Sequence, residues 1–242
     1  MKPLYVWLAA LLLWAGAAHA QPNPTFFQPY DDLLQTHVSD GVVSYSGWAQ
    51  DPRHKAVMDM LHAARPDTLQ TDAEKMAFWI NAYNLMTIDL IVSNGEKQSI
   101  KNLGGWLSTA WTGPKWQIGD KSYTLDQIEN NILRPMGQPL VHMALNCASK
   151  SCPILNGRAY RADILDNQLR AQAMRFVRDD KRGLKITGSG TADISMIFKW
   201  YADDFGGVEG VQAFIATYHG DNPPLLVSGY LPYDWSLNGT WE

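Results

Sequence analysis

Thr71-Asp72-Ala73-Glu74 is a capping box: the threonine hydroxyl takes the N–H three residues on, and the glutamate reaches back to the threonine's own N–H. An unbroken helical pattern runs from it to about Ser93, where Asn94-Gly95 ends it. Met76, Trp79, Tyr83, Met86 and Leu90 fall on one stripe, so a helix of about six turns must bury a wide apolar face, and the rest of the chain has to be arranged around it. Asn81 and Asn84 lie one turn apart on another face. Asn is a poor interior helix residue because it competes for backbone bonds. A pair at this spacing either faces a site, where it can donate to an oxyanion, or ties down a neighbouring loop.

A second capping box, Thr124-Leu125-Asp126-Gln127, opens a helix to about Arg134, before Pro135 and Gly137. Helical spacing also covers 30–37, 51–64, 163–180, 194–205 and 208–218, after a Pro-rich irregular lead-in at 21–29. Short strands are expected at 42–45, 116–118, 121–123, 140–145, 184–187 and 225–227, with a hairpin around Gly119-Asp120. Helices outnumber scattered strands, which is an α+β pattern: a single domain with helices packed on a small, mostly antiparallel sheet. No fixed-period repeat, Pro/Ser linker or composition break divides it.

Residues 4–18 form an apolar run behind Met1-Lys2, and Ala18-His19-Ala20 offers small residues at −3 and −1 of a cleavage point. The run is short of the roughly 20 residues that a membrane span needs. The expectation is a cleaved secretory signal at 1–20, a globular domain at 21–242 with no membrane span, and a periplasmic or secreted bacterial protein. Lys and Arg number 20 against 24 Asp and Glu, a net charge of −4, so no basic field exists to hold a nucleic acid.

Three features break their local rule. Leu125, Ile128 and Ile132 make Glu129 the fourth inward position of its helix. A carboxylate there must be paired or protonated. It reads as a general acid/base or the orienter of a histidine, or else as a carboxylate at the edge of the stripe bonding backbone or Arg134. His142 sits inside the apolar run LVHMAL, thirteen residues on, as a partner for Glu129 or a satisfied core histidine. Asn146-Cys147-Ala148-Ser149-Lys150-Ser151-Cys152-Pro153 holds both cysteines of the chain. They are open to a Cys147–Cys152 disulfide, or to a nucleophile activated by His142 with Lys150 lowering the thiol pKa; a reversible disulfide would join the two. Fully extended, residues 142 to 147 would separate by about 16 Å, so a His–Cys contact needs the chain to reverse near Leu145. The cysteine spacing lacks the short pairs of zinc sites, and no metal or organic cofactor is expected. Trp106 and Trp111, in a Gly-rich loop at 104–114, read as groove-lining rings or core filler.

Taken together, Phe78–Asn84, Tyr123–Glu129, His142–Pro153, Phe198–Phe205 and Tyr233–Asn238 resemble the domain of unknown function 547 family. The resemblance spans roughly Ala73 to Asn238 and implies that Asn81, Glu129, His142 and Cys147 belong to one pattern. In similar proteins His often follows the glutamate; here Asn130 stands there, which puts more weight on His142. The Cys/His/Glu set also resembles papain-like and transglutaminase-like thiol enzymes. The sequence therefore points to a thiol hydrolase or acyl transferase, with Cys147 as nucleophile, His142 as base, Glu129 as orienter, and Asn81 or backbone N–H groups at the oxyanion. Asn84, Ser149, Cys152, Trp106 and Trp111 are expected to line the site. The alternative is a non-catalytic module binding a peptide, glycan or small molecule, with a structural disulfide behind it.

Overall fold

The computed structural model describes residues 26–220 and 225–242. The expected signal segment and the start of the lead-in at 21–29 lie outside them. Helix α1 (Phe27–His37) begins within the expected lead-in and leads through a tight hairpin, β1 (Val38–Ser39) and β2 (Val42–Ser44), to α2 (Tyr45–Gln50) and α3 (Arg53–His62). The predicted inward residues of α3, Val57, Met58 and Leu61, are buried.

The long helix α4 (Asp72–Asn94) forms as the sequence requires. Both halves of its capping box are made, and Gly95 ends it in the left-handed region at φ 59°. Its burial goes beyond one stripe: fifteen of its 23 residues are buried, including Asn81 and Asn84. The helix is therefore the axis of the domain, and the other elements wrap it. The buried apolar side chains make one contiguous core, with Trp48, Tyr30 and Tyr45 from the amino-terminal helices among its largest fully buried members.

The hairpin β3 (Trp116–Ile118) and β4 (Lys121–Tyr123) turns at Gly119 as expected. The second capping box opens α5 (Leu125–Ile128), but the helix then widens into a π-helical turn over Glu129–Leu133 before tightening over Arg134–Met136. Such wide turns recur where a side chain has to be re-aimed. The largest departure follows. LVHMAL is no strand: Pro139–Met143 is a 3₁₀ turn, opened by the Gln138 side chain, which accepts from Leu140 N–H. A short apolar run fits a buried strand or a buried turn equally well. Here Pro139 presets the turn, and no neighbouring strand is in place to pair with the run.

Helix α6 (Leu165–Val177) buries the predicted Leu165, Leu169, Ala173, Phe176 and Val177. The stretch read as a helix from 194 is shorter and begins differently. Strand β6 (Thr191–Ile194) pairs antiparallel with β5 (Leu184–Gly188), and only then come α7 (Ile197–Trp200) and a 3₁₀ turn at Ala202–Phe205. Helix α8 (Gly207–His219) precedes β7 (Leu226–Tyr230), which adds parallel to β6. At the carboxyl end β8 (Gly239–Thr240) runs parallel to β2. The architecture is α+β, with three small antiparallel-rich sheets rather than one. Among the described residues no helix is long and apolar enough to cross a membrane.

Because α4 is the axis, its interior is expected to weigh more than its cap. Replacing the fully buried Leu85 by alanine should cost about 2–5 kcal/mol, against about 1 kcal/mol for Thr71→Ala. Urea unfolding of both variants checks the order.

Candidate functional site

Asn84 fixes the geometry of the thiol loop. Its amide donates to Ala144 O (2.9 Å) and accepts from Asn146 N–H (2.8 Å), pinning the chain where it leaves the LVHMAL turn. Asn146 carries the constraint forward. Its side chain donates to Pro153 O (2.9 Å) and accepts from Ala148 N–H (3.0 Å), and Ala148 takes a left-handed φ of 56°. A non-glycine residue held there stores about 1–3 kcal/mol of strain, as functional loops often do. The carboxyl-terminal segment closes the loop from the far side: Lys150 N–H donates to Ser236 O and Asp234 N–H to Ser151 Oγ.

This clamp turns residues 147–152 into a tight loop with both cysteines on its inside, as free thiols. Their sulfurs lie 2.6 Å apart, against about 2.05 Å for a bond. Cys147 is half-buried, and its Sγ lies 3.2 Å from Ser149 Oγ and 3.3 Å from Tyr233 OH. Burial opposes its ionisation. The Cys152 thiol and the Ser149 and Tyr233 hydroxyls outweigh that and bring its pKa below the ordinary thiol value. Burial, then the neighbouring Cys147, pushes Cys152 well above it. Lys150, expected to activate the thiol, is exposed; its backbone carbonyl accepts from Arg182, and it takes no part in the shift.

Cys147 and Cys152 line a cavity of about 290 Å³ with Glu129, His142 and Trp111. The chain reversal required by the sequence argument therefore occurs, and imidazole, thiol and carboxylate share one chamber. Their pairing is different from that expected. Glu129 does not hold His142. It accepts from Tyr201 OH (2.6 Å) and Tyr83 OH (3.1 Å), and Trp111 Nε1 donates in turn to Tyr83 OH (3.2 Å). Burial raises the Glu129 pKa even against these two donors.

His142 pairs instead with Asp204, Nε2 to Oδ2 at 2.7 Å. Asp204 is also gripped by Arg134 through both oxygens, at 2.6 and 2.9 Å. The Arg134 bonds, opposed by burial and helped by His142, hold the Asp204 pKa low. An ionised Asp204 can only accept, so His142 carries its proton on Nε2. Desolvation keeps the ring's own pKa below its usual value despite Asp204. No hydrogen bond joins the ring to Cys147. The ring stacks on Tyr201, with centroids 4.1 Å apart. His142 also borders a second cavity of about 250 Å³, with Arg134, Asp203 and Asp204 on its far side.

The remaining expected residues divide. Ser149 touches the thiol and Trp111 lines the chamber, whereas Trp106 is 97% exposed on its loop and is no part of it. Asn81 is removed from the oxyanion role: its amide is spent on Tyr160, donating to the carbonyl (2.8 Å) and accepting from the N–H (2.9 Å). Asn84 likewise acts on the backbone. The sequence reading assigned no site role to Asp204, Tyr83, Tyr201, Tyr233, Asp126 or Asn130, although the first five sit in the quoted segments and Asn130 directly follows one. Among the described residues no three His, Cys, Asp or Glu side chains converge as metal ligands.

Glu129 makes a pH signature. A carboxyl whose folded pKa is raised contributes stability that is fully present below its unfolded value and lost as pH rises through the folded value. Glu129→Gln, which mimics the protonated form, should therefore melt higher than the parent at neutral and alkaline pH and converge with it near pH 4. Thermal melts across that range read the crossover.

Comparison with curated proteins and with solved structures found no match, so the papain-like and transglutaminase-like likeness rests on no relative. A comparison with family models did find one, described as Protein of unknown function, DUF547, matching residues 66–177. That span carries the whole of α4, the Glu129 turn, His142 and the thiol loop. Over residues 66–177 the chain is similar to that family of unknown function.

Proposed function

We propose that the chamber is a thiol-dependent hydrolase or acyl-transfer site in an exported protein, with Cys147 as nucleophile. One observation carries the reading. Of two adjacent thiols, the one bordering solvent lies within hydrogen-bond reach of Tyr233 OH and Ser149 Oγ and has its pKa brought below the ordinary thiol value, across a chamber from a buried carboxyl whose pKa is raised. A thiolate and a carboxylic acid in one chamber are the two partners that acyl transfer needs.

The Cys147 thiolate attacks the carbonyl carbon of an ester or amide. The bond to the leaving group breaks, and Glu129 delivers its proton to that group. Water, losing a proton to the Glu129 carboxylate, then cleaves the thioester and restores the thiolate; another nucleophile in place of water gives transfer. Tyr83 and Tyr201 hold the carboxyl in place. His142, locked by Asp204, is a positioning residue that acts through its stack on Tyr201, in place of the base expected from the sequence. Asn130, which spends one amide hydrogen on Asp126, keeps another for a developing oxyanion.

The facing sulfurs favour a second reading, in which oxidation closes Cys147–Cys152 and leaves a non-catalytic binding module. Iodoacetamide labelling of the fully reduced protein separates the two. Cys147 should label ahead of Cys152, with an apparent pKa below the ordinary 8.5 or so, and Tyr233→Phe and Ser149→Ala should each move that pKa up. Labelling of neither thiol after reduction, or of Cys152 first, overturns the nucleophile reading. With a substrate in hand, Glu129→Gln should lower kcat about 10²- to 10⁴-fold.

A further inference from the structure

The walls of the chamber are unusual in charge as well as in shape. Trp111, Trp200, Tyr233 and Trp235 contribute four rings: Trp111 meets Trp235 at 76° with centroids 5.7 Å apart, Tyr233 meets Trp235 at 50° and 4.6 Å, and Trp200 stacks on Trp235 at 26° and 6.0 Å. Together they make the wall of the chamber largely aromatic. Asp126 and Glu129 stand in the same wall, and among the described residues no lysine or arginine lines it. Arg134 lies nearby, but its guanidinium is spent on Asp204 and Asn130. His142, the lining's one basic side chain, is held neutral by burial.

We infer that the chamber selects ligands bearing an ammonium group, primary or quaternary. The inference deepens the acyl-transfer reading by naming the substrate class: a small amine-bearing ester or amide. The quadrupoles of aromatic faces attract cations, and the attraction grows as the site dries. The Asp126 carboxylate and the Cys147 thiolate in the wall add to it, and both disfavour an acidic ligand. At about 290 Å³ the chamber is at the small end of ligand sites, the size of one amine-bearing group rather than a length of polymer.

Three probes of one shape and different charge test this: choline, its neutral isostere 3,3-dimethyl-1-butanol, and the anion 3,3-dimethylbutyrate. Binding to the reduced full chain is read by calorimetry and by tryptophan fluorescence, independently of turnover. Choline should bind at least tenfold tighter than the neutral isostere, and the anion weakest. Asp126→Asn should cut the ratio of choline to neutral-probe affinity severalfold, and Trp235→Leu should weaken choline most. Equal binding of choline and its isostere, tighter binding of the anion, or no binding of choline at millimolar concentration overturns the inference. The labelling experiment above is unaffected by any of these outcomes, so failure of the ligand class and failure of the nucleophile are told apart.

Discussion

The two amide bonds of Asn84 are the constraint on which the site depends. A buried backbone N–H or C=O must find a partner, and an irregular loop against a helix has no ladder to supply one. Asn84 supplies both kinds from one side chain, presenting an acceptor to Asn146 and a donor to Ala144. Asn81 does the same for Tyr160 one turn away. The central helix thus works as a template. It offers amides in place of a neighbouring strand, and irregular backbone settles on them. The thiol loop takes its shape, including the left-handed Ala148, from that settlement.

The titrating groups follow from the same packing. Cys147 and Cys152 share one loop and one chamber wall, yet their acidities are driven in opposite directions, because hydroxyls surround the half-buried Cys147 sulfur whereas Cys152 is buried more deeply and held against it. Glu129 is taken from water by the π-helical turn and then stabilised by two tyrosines, which lessen the effect of burial without cancelling it. His142 completes a chain of contacts from Arg134 through Asp204 and the stacked Tyr201 to that carboxyl. Charge on the outer side of the site is thereby connected to the geometry of its inner acid.

Much of this was legible along the chain. Both capping boxes, the ends of the long helix and the inward faces of α3 and α6 follow from spacing, because helix caps and stripes are local. Glu129 and the cysteine pair stood out as residues that break their local pattern, and the structure brings them into one chamber with His142. The strand expected at LVHMAL, the helix expected from 194 and the Glu129–His142 pair did not hold. In each the competing choices were equal within a short window, and contacts from far along the chain decided between them.

The sequence by itself determined the elements that carry their own signals: a capped central helix, a loop between Asn146 and Pro153 that holds both cysteines, and a carboxylate at an inward position of its helix. The tertiary structure alone decided who meets whom. Asp204 reaches His142 across 62 residues and Tyr233 reaches Cys147 across 86, and no periodicity records such pairings. They arise because a charged or polar group taken from water accepts whichever partner the packed core brings within about 3 Å.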